Sequence, residues 1–195
     1  MKVLELFSGT HSVGKVCKNL GYDVISLDLK NADINCNILD WDYRIYPSGY
    51  FDIIWASPPC DTFSCLRNTW KGRGQTSISL LDDINNIGLP ILRRTEEIID
   101  YFKPNLWFIE NPQTGKMKEY INKPFYDVDY CRYSNWGYRK RTRIWTNKKT
   151  FNNKLCNKEC GNYSNGKHMK DVSINITNKN ERYKIPELLI NDLFL

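Results

Sequence analysis

The chain has 195 residues, 41% of them hydrophobic and 13% aromatic, which is enough for one domain with a full core and too aromatic for disorder. Its 28 basic and 22 acidic residues leave a net charge of +6, a mild excess that permits a polyanionic partner without proving one. No apolar run approaches a membrane span and no basic start leads into an apolar leader, so a soluble, intracellular, non-secreted protein is expected. Seven unevenly spaced cysteines fit a reducing compartment rather than a disulfide framework.

Taken in chain order, Lys2–Phe7 is an apolar run suited to a buried parallel strand. Ser8–Thr10 is a turn centred on glycine, and His11–Leu20 has helical spacing, with Val13, Val16, Cys17 and Leu20 on one face and Gly21 as the stop. Asp23–Leu27 reads as a second strand ending at Asp28, Asp33–Leu39 as a short third and Phe51–Trp55 as a fourth that runs into Ser57-Pro58-Pro59-Cys60. Residues 61–88 form a long polar connection holding Arg67, Asn68, Lys71, Gly72, Arg73, Gly74 and Gln75, of the length used for lids and binding loops. Leu89–Phe102 is helical, Leu106–Ile109 a fifth strand ending in Glu110-Asn111-Pro112, and Val128–Tyr133 with Arg141–Trp145 a later strand pair. Residues 146–182 are rich in Asn and Lys, and helical periodicity returns over Ile185–Leu195. The expected architecture is α/β, a doubly wound and mostly parallel sheet. Residues 1–147 would form its core, 148–182 a small segment, and 183–195 a helix packing back.

In such sheets ligands bind beyond the carboxyl ends of the strands. The unusual residues fall there. A strand, Phe7-Ser8-Gly9-Thr10-His11-Ser12 and a helix can cradle a nucleotide, and Asp28 stands where a carboxylate accepts ribose hydroxyls. An ordinary turn and a solvated strand end are the plain alternatives. At the other end, two prolines fix the backbone before Cys60, and a thiol so placed can act as a nucleophile. Cys17, Cys36 and Cys65 read as structural. Glu110, partly desolvated beside Cys60, would suit a proton donor.

These blocks, in this order, resemble the cytosine-5 DNA methyltransferases. Leu6-Phe7-Ser8-Gly9-Thr10 is similar to the cofactor loop and Pro58-Pro59-Cys60-Asp61-Thr62-Phe63-Ser64 to the nucleophile loop. Glu110-Asn111-Pro112 is similar to the Glu-Asn-Val segment, and Arg139-Lys140-Arg141-Thr142-Arg143 to the Gln-x-Arg-x-Arg segment. Amino-methyltransferases carry an aromatic residue after Pro-Pro, so Cys60 favours carbon-5 chemistry. The resemblance implies a fold of the Rossmann-like S-adenosylmethionine-dependent type, and DNA as the partner. Cys60 would attack carbon 6 of a flipped cytosine, Glu110 would hold N3 and the exocyclic amine, and Arg141 would contact O2. S-adenosyl-L-methionine would be held by Phe7, Ser8, Gly9, Thr10, His11, Ser12, Asp28, Asn37, Ile38 and Pro58, with Asp33 competing with Asn37 for the adenine. RNA is the second choice of substrate, because the Cys-Phe-Thr motif of the RNA-directed branch is absent, and a catalytically weak nucleic-acid-binding relative is the third reading, opposed by the intact Cys60 and Glu110. No membrane partner is implied, and the sequence leaves the oligomeric state open, a monomer included.

The chain departs from the family at His11 and Ser12, where further glycines are usual, and at Arg139, where glutamine is usual. The tail Arg182–Leu188 resembles endings of short phage and virus members. Between Trp145 and Arg182 there is little room for the separate target-recognition domain of larger members, so weak or very short sequence specificity is expected. Cys156-x₃-Cys160 followed by His168, with Cys131 as a fourth donor, has the look of a structural zinc site. Four free polar groups are the alternative.

Overall fold

The computed structural model describes residues 1–64, 80–176 and 178–195. Cys65 and the basic loop residues Arg67, Asn68, Lys71, Gly72, Arg73, Gly74 and Gln75 lie outside the described residues. Seven strands form one sheet: β1 (Lys2–Leu6), β2 (Asp23–Asp28), β3 (Ile34–Asn35), β4 (Ile53–Ala56), β5 (Leu106–Pro112), β6 (Phe125–Asp129) and β7 (Arg141–Thr146), in the order β3-β2-β1-β4-β5-β7-β6. β1 to β5 run parallel, and β7 pairs antiparallel with both β5 and β6. The central strands are apolar along their length because both faces are covered: β4 is buried throughout. The strand order reverses between β1 and β4, and the crevice expected at such a switch point lies between the Phe7–Thr10 turn and the Ser57–Cys60 turn.

Helix α1 (Ser12–Asn19) buries Val13, Val16 and Cys17 on the sheet. It packs there beside the C-terminal helix α6 (Glu187–Phe194), whose Leu189, Ile190, Leu193 and Phe194 join Trp55, Phe108 and Ile144 in one cluster. The opposite face is covered by α3 (Leu89–Phe102), through Leu92, Ile98, Ile99 and Phe102. Helix α3 stops where Lys103 turns left-handed before Pro104.

The elements differ from the sequence expectation at four places. The third strand shrinks to two residues, because the Asp33 carboxylate takes the Ser26 backbone N–H and hydroxyl at 2.9 and 2.6 Å and the Asn37 side chain caps Leu39 at 3.0 Å. Local side-chain bonds of this kind compete with a ladder. The connection 61–88 ends in helix: α2 (Leu80–Asp83) passes through a π-turn, Ile84–Gly88, into α3, because buried Ile84 anchors it on the core. The fifth strand reaches Pro112, since β7 pairs with it as far as Pro112↔Thr142. The sixth strand is Phe125–Asp129, and Tyr130–Arg132 is a 3₁₀ turn. The remaining chain forms a small hairpin, β8 (Tyr163–Ser164) and β9 (Lys167–His168), then α4 (Val172–Asn175) and α5 (Lys179–Tyr183).

Candidate active site

Four chain segments meet at the carboxyl edge of the sheet. After β1 the backbone turns sharply: Phe7 and Gly9 have φ of +60° and +45°. Such a value is uncommon outside glycine, and the turn is held because the Phe7 and Ser8 amides both donate to Leu27 O, at 2.8 and 3.2 Å. The Gly9 amide donates to Asp28 Oδ2 at 2.8 Å and the Leu29 amide to Oδ1 at 2.7 Å. Asp28 is thus fixed at the end of β2, half-buried, facing the turn. The Ser8 hydroxyl is buried and has no hydrogen-bond partner among the described residues. A buried hydroxyl left unpaired is costly unless something arrives to satisfy it.

The rest of the cofactor-loop residues are placed as follows. Thr10 and Ser12 bond through their hydroxyls at 2.8 Å, and Ser12 Oγ accepts the Ile185 amide at 3.2 Å. His11, left-handed at φ +55°, turns its ring toward Asn31 O (2.6 Å) and the buried Glu5 carboxylate (3.8 Å). Ile38 is buried, and its carbonyl accepts from Arg94; Asn37 is exposed, while Asp33 is committed to Ser26. A cavity of about 400 Å³ beside α1 is lined by Glu5, His11, Lys15, Lys18 and Asp33 and touches neither Cys60 nor Glu110.

Burial pushes the Glu5 carboxyl up to about 7, against the pull of the Gly14 and Val13 amides and of Lys18 and Lys15. Gly14 has no room for a side chain, since a Cβ there would stand 2.6 Å from Glu5 Oε2.

The reacting end is built by β4, β5 and β7. The Asn111 side-chain amide donates to Pro58 O at 2.8 Å, and Trp55 Nε1 donates to Ser57 Oγ at 3.0 Å, so the two prolines are held from both strands. Gly88 of the π-turn lies against the Phe63 ring, where a Cβ would meet it at 2.8 Å, so the helix also braces the loop after Cys60. Cys60 is half-buried at the rim. Burial pushes its thiol up to about 11; Lys140 pulls it down, while Asp61 and Glu110 add to the rise. Glu110 is buried, and its Oε1 accepts from the Tyr130 hydroxyl at 3.1 Å and lies 3.8 Å from Lys140 Nζ. Lys140 Nζ also donates to Arg182 O at 3.1 Å.

Strand alternation separates the basic residues of the Arg139–Arg143 block. Directly opposed partners share a face, and Glu110 stands opposite Ile144. Arg141 and Arg143 therefore point to the other face, where they make two-pronged pairs with their cross-strand partners: Arg141 with Asp129 at 3.0 and 2.7 Å, Arg143 with Asp127 at 2.8 and 2.9 Å. The structure thus pairs Glu110 with Lys140, close enough to Cys60 for both charges to act on its thiol, and places Arg141 on Asp129. Sequence reading missed Lys140, Tyr130 and Asn111; the alternating Asp127-x-Asp129 and Arg141-x-Arg143 were the available signal. Tyr183, at the end of α5, also senses the site, because the charges of Asp61 and Cys60 help burial to push its phenol up.

Cys131, Cys156, Cys160 and His168 converge, with donor atoms all within 4.8 Å of one another. The described cysteines are all free thiols.

The fold is of the α/β class found in solved methyltransferases. The chain is similar over 88% of its length to the Entamoeba histolytica methyltransferase EhMeth, with a TM-score of 0.56 and 17% identity. It is similar over 75% of its length to a "putative DNA modification methyltransferase encoded within prophage" of E. coli, with a TM-score of 0.51 and 14% identity. It spans only 57% and 46% of those longer chains. No protein-family model matches the sequence. A curated relative, the "Probable DNA (cytosine-5)-methyltransferase" of Frog virus 3 (isolate Goorha), is 43% identical over 210 aligned residues, covering 99% of this chain and 98% of the relative. The chain belongs to the DNA (cytosine-5)-methyltransferase family.

Proposed function

We propose that this protein methylates carbon 5 of cytosine in DNA through a transient covalent bond between Cys60 and carbon 6. The observation that carries the reading is the convergence of Cys60, Glu110 and Lys140 at the end of the sheet where the cofactor loop also lies. Carbon 5 of cytosine is a poor nucleophile, and adding a thiolate at carbon 6 moves electron density onto carbon 5. Glu110 is fixed by Tyr130 and is suited to hold N3 and the exocyclic amine of the base. The base must leave the duplex to reach a thiol at this rim.

Two basic residues can steady the charge that develops. Lys140 faces Glu110 and acts on Cys60 directly. Arg141, the residue implied by resemblance, serves that role only after leaving Asp129. The geometry favours Lys140, with Arg141 holding β7 to β6.

The cofactor end fits S-adenosyl-L-methionine. The orphaned Ser8 hydroxyl, the exposed Gly9 backbone and Asp28 offer donors and acceptors of the right kind, with Phe7, Thr10, His11, Ser12, Asn37, Ile38 and Pro58 around them. When bound, this cofactor supplies an electrophilic methyl group. Asn111 holds Pro58 and with it the Cys60 loop; when the methylated carbon 5 loses its proton to water acting as the base, that electron pair restores the C5–C6 double bond and the C6–S bond breaks to release Cys60 as its thiolate.

Arg132, Arg139 and Lys149 are exposed and available to phosphates. Among the described residues no helix is long and apolar enough to cross a membrane, and free thiols suit the reducing interior of a host cell.

Transfer of a tritiated methyl group to DNA and to RNA, with Cys60→Ser as control, tests the proposal. Transfer to DNA alone, and a covalent complex on 5-fluorocytosine DNA that Cys60→Ser abolishes, is expected. Transfer to neither polymer, with no trapped complex, overturns it.

A further inference from the structure

We propose that Cys131, Cys156, Cys160 and His168 bind one structural zinc ion, which folds residues 151–184 and fixes the approach to β7. The donors come from three separate places: the 3₁₀ turn after β6, the loop 156–160, and β9. Their convergence is not a by-product of helix or strand spacing.

The distances suit the metal. With Zn–S near 2.3 Å and Zn–N near 2.0–2.1 Å, a tetrahedral S–N edge is about 3.5 Å. His168 Nε2 lies 3.5 Å from both Cys156 Sγ and Cys160 Sγ. The widest separation in the set, 4.8 Å, needs a contraction of roughly 1 Å to reach the S–S edge of the same tetrahedron. The backbone around the first cysteine is already bent as a knuckle: the Lys158 amide donates to Cys156 Sγ at 3.3 Å, and Lys158 and Gly161 have φ of +77° and +72°.

The segment also needs such a centre. Among the described residues of 151–184, only Asn162 is buried. The two-residue strands β8 and β9, closed by Asn165-Gly166 at φ +51° and +81°, and the short helices α4 and α5 have no apolar core beneath them. A hairpin this small is not stable alone, and a bound metal is a usual substitute for a core.

The centre is joined to the sheet by hydrogen bonds. The Cys156 amide donates to Asp129 Oδ2 at 2.8 Å, the same oxygen that accepts from Arg141 at 2.7 Å. The Asn162 amide donates to Cys131 O at 3.1 Å and Ser134 O at 2.8 Å, and its oxygen accepts the Gly137 amide at 3.0 Å. A metal that fixes Cys131, Cys156 and Cys160 therefore fixes the loop leading from β6 to Lys140 and Arg141.

The test is metal analysis of the full-length protein, produced in zinc-supplemented medium and passed through a desalting column with a weak chelator. About one zinc per chain is expected. It should be released when the thiols are blocked by a mercurial, lost in Cys160→Ser, and kept in His168→Cys, which restores a four-thiolate set. Replacement by cobalt(II) should give the visible bands of a tetrahedral thiolate complex. Less than about a tenth of a zinc per chain in the folded protein overturns the proposal. So does a disulfide between Cys156 and Cys160 found by mass spectrometry, or metal content unchanged in Cys160→Ser. None of these readings depends on methyl transfer.

Discussion

Replacing Glu5 by glutamine should shift stability in favour of the variant, relative to wild type, as the pH rises. The Glu5 carboxyl is 3% exposed, takes the Val13 amide at 3.2 Å, and is pushed by burial from 4.5 to about 7. The fold therefore prefers the neutral acid. Between pH 4.5 and about 7 the unfolded chain releases this proton more readily than the native one, so fewer protons are bound in the unfolded state and stability falls with rising pH. A shift of some 2.5 units corresponds to about 3 kcal/mol, fully present below pH 4.5 and lost above pH 7. Glutamine keeps the carbonyl acceptor for Val13 and cannot ionise. In urea unfolding from pH 4.5 to 8.5, the advantage of Glu5→Gln over wild type should grow by about 3 kcal/mol. In melting curves a chain of this size would show a Tm difference widening by roughly 6–12 °C. A difference that stays flat across this range would refute the reasoning, because it would mean that Glu5 ionises as freely in the fold as in the unfolded chain.

Four further outcomes are expected. With its thiol near 11, Cys60 is ionised to about one part in a thousand at pH 8, so its alkylation by iodoacetamide should rise about tenfold per pH unit from 7 to 10; a plateau already below pH 9 would count against this. Lys140→Gln should lower methyl transfer by about 10²–10³ in protein shown to be folded at the assay temperature, and push the Cys60 alkylation profile to higher pH. Arg141→Ala should instead lower stability by about 3 kcal/mol, by leaving the Asp129 charge buried and short of its main partner, which denaturant titration would read. The purified chain should show weak or very short sequence preference on DNA; strong selectivity for a site of four or more base pairs, measured by bisulfite sequencing, would contradict the shortage of recognition structure between Trp145 and Arg182.

The parallel strands and their helices were legible because their residues obey one period each: Val13, Val16 and Cys17 on one stripe of α1, and the unbroken apolar run of β4. The candidate site stood out in the sequence because proline, cysteine and glutamate at strand ends are chemically unusual. What stayed hidden depends on register. Arg141 and Lys140 are neighbours in sequence, yet a step of one residue sends them to opposite faces, and only the pairing of Pro112 with Thr142 settles which faces Glu110. The shortened β3 was hidden for another reason: Asp33 and Asn37 spend their side chains on nearby amides, which hydrophobic pattern does not record. The helical turn over Leu80–Gly88 depends on Ile84 finding the core and on Gly88 fitting under Phe63, both tertiary facts.

The reversed strand β7 has a consequence for how such a site can be assembled. In a wholly parallel sheet, each strand can offer the reaction edge only the residues at its finish. Because β7 runs the other way, it offers its beginning, and the β6–β7 hairpin has its whole connection, Tyr130 to Lys140, at the edge of the sheet that carries the candidate site. That connection carries the phenol that fixes Glu110, the ammonium beside it, and Cys131. The proposed catalytic groups and the proposed fastening of the C-terminal segment thus share one stretch of eleven residues, so an insertion tolerated in an ordinary surface loop would here displace both sets of side chains at once.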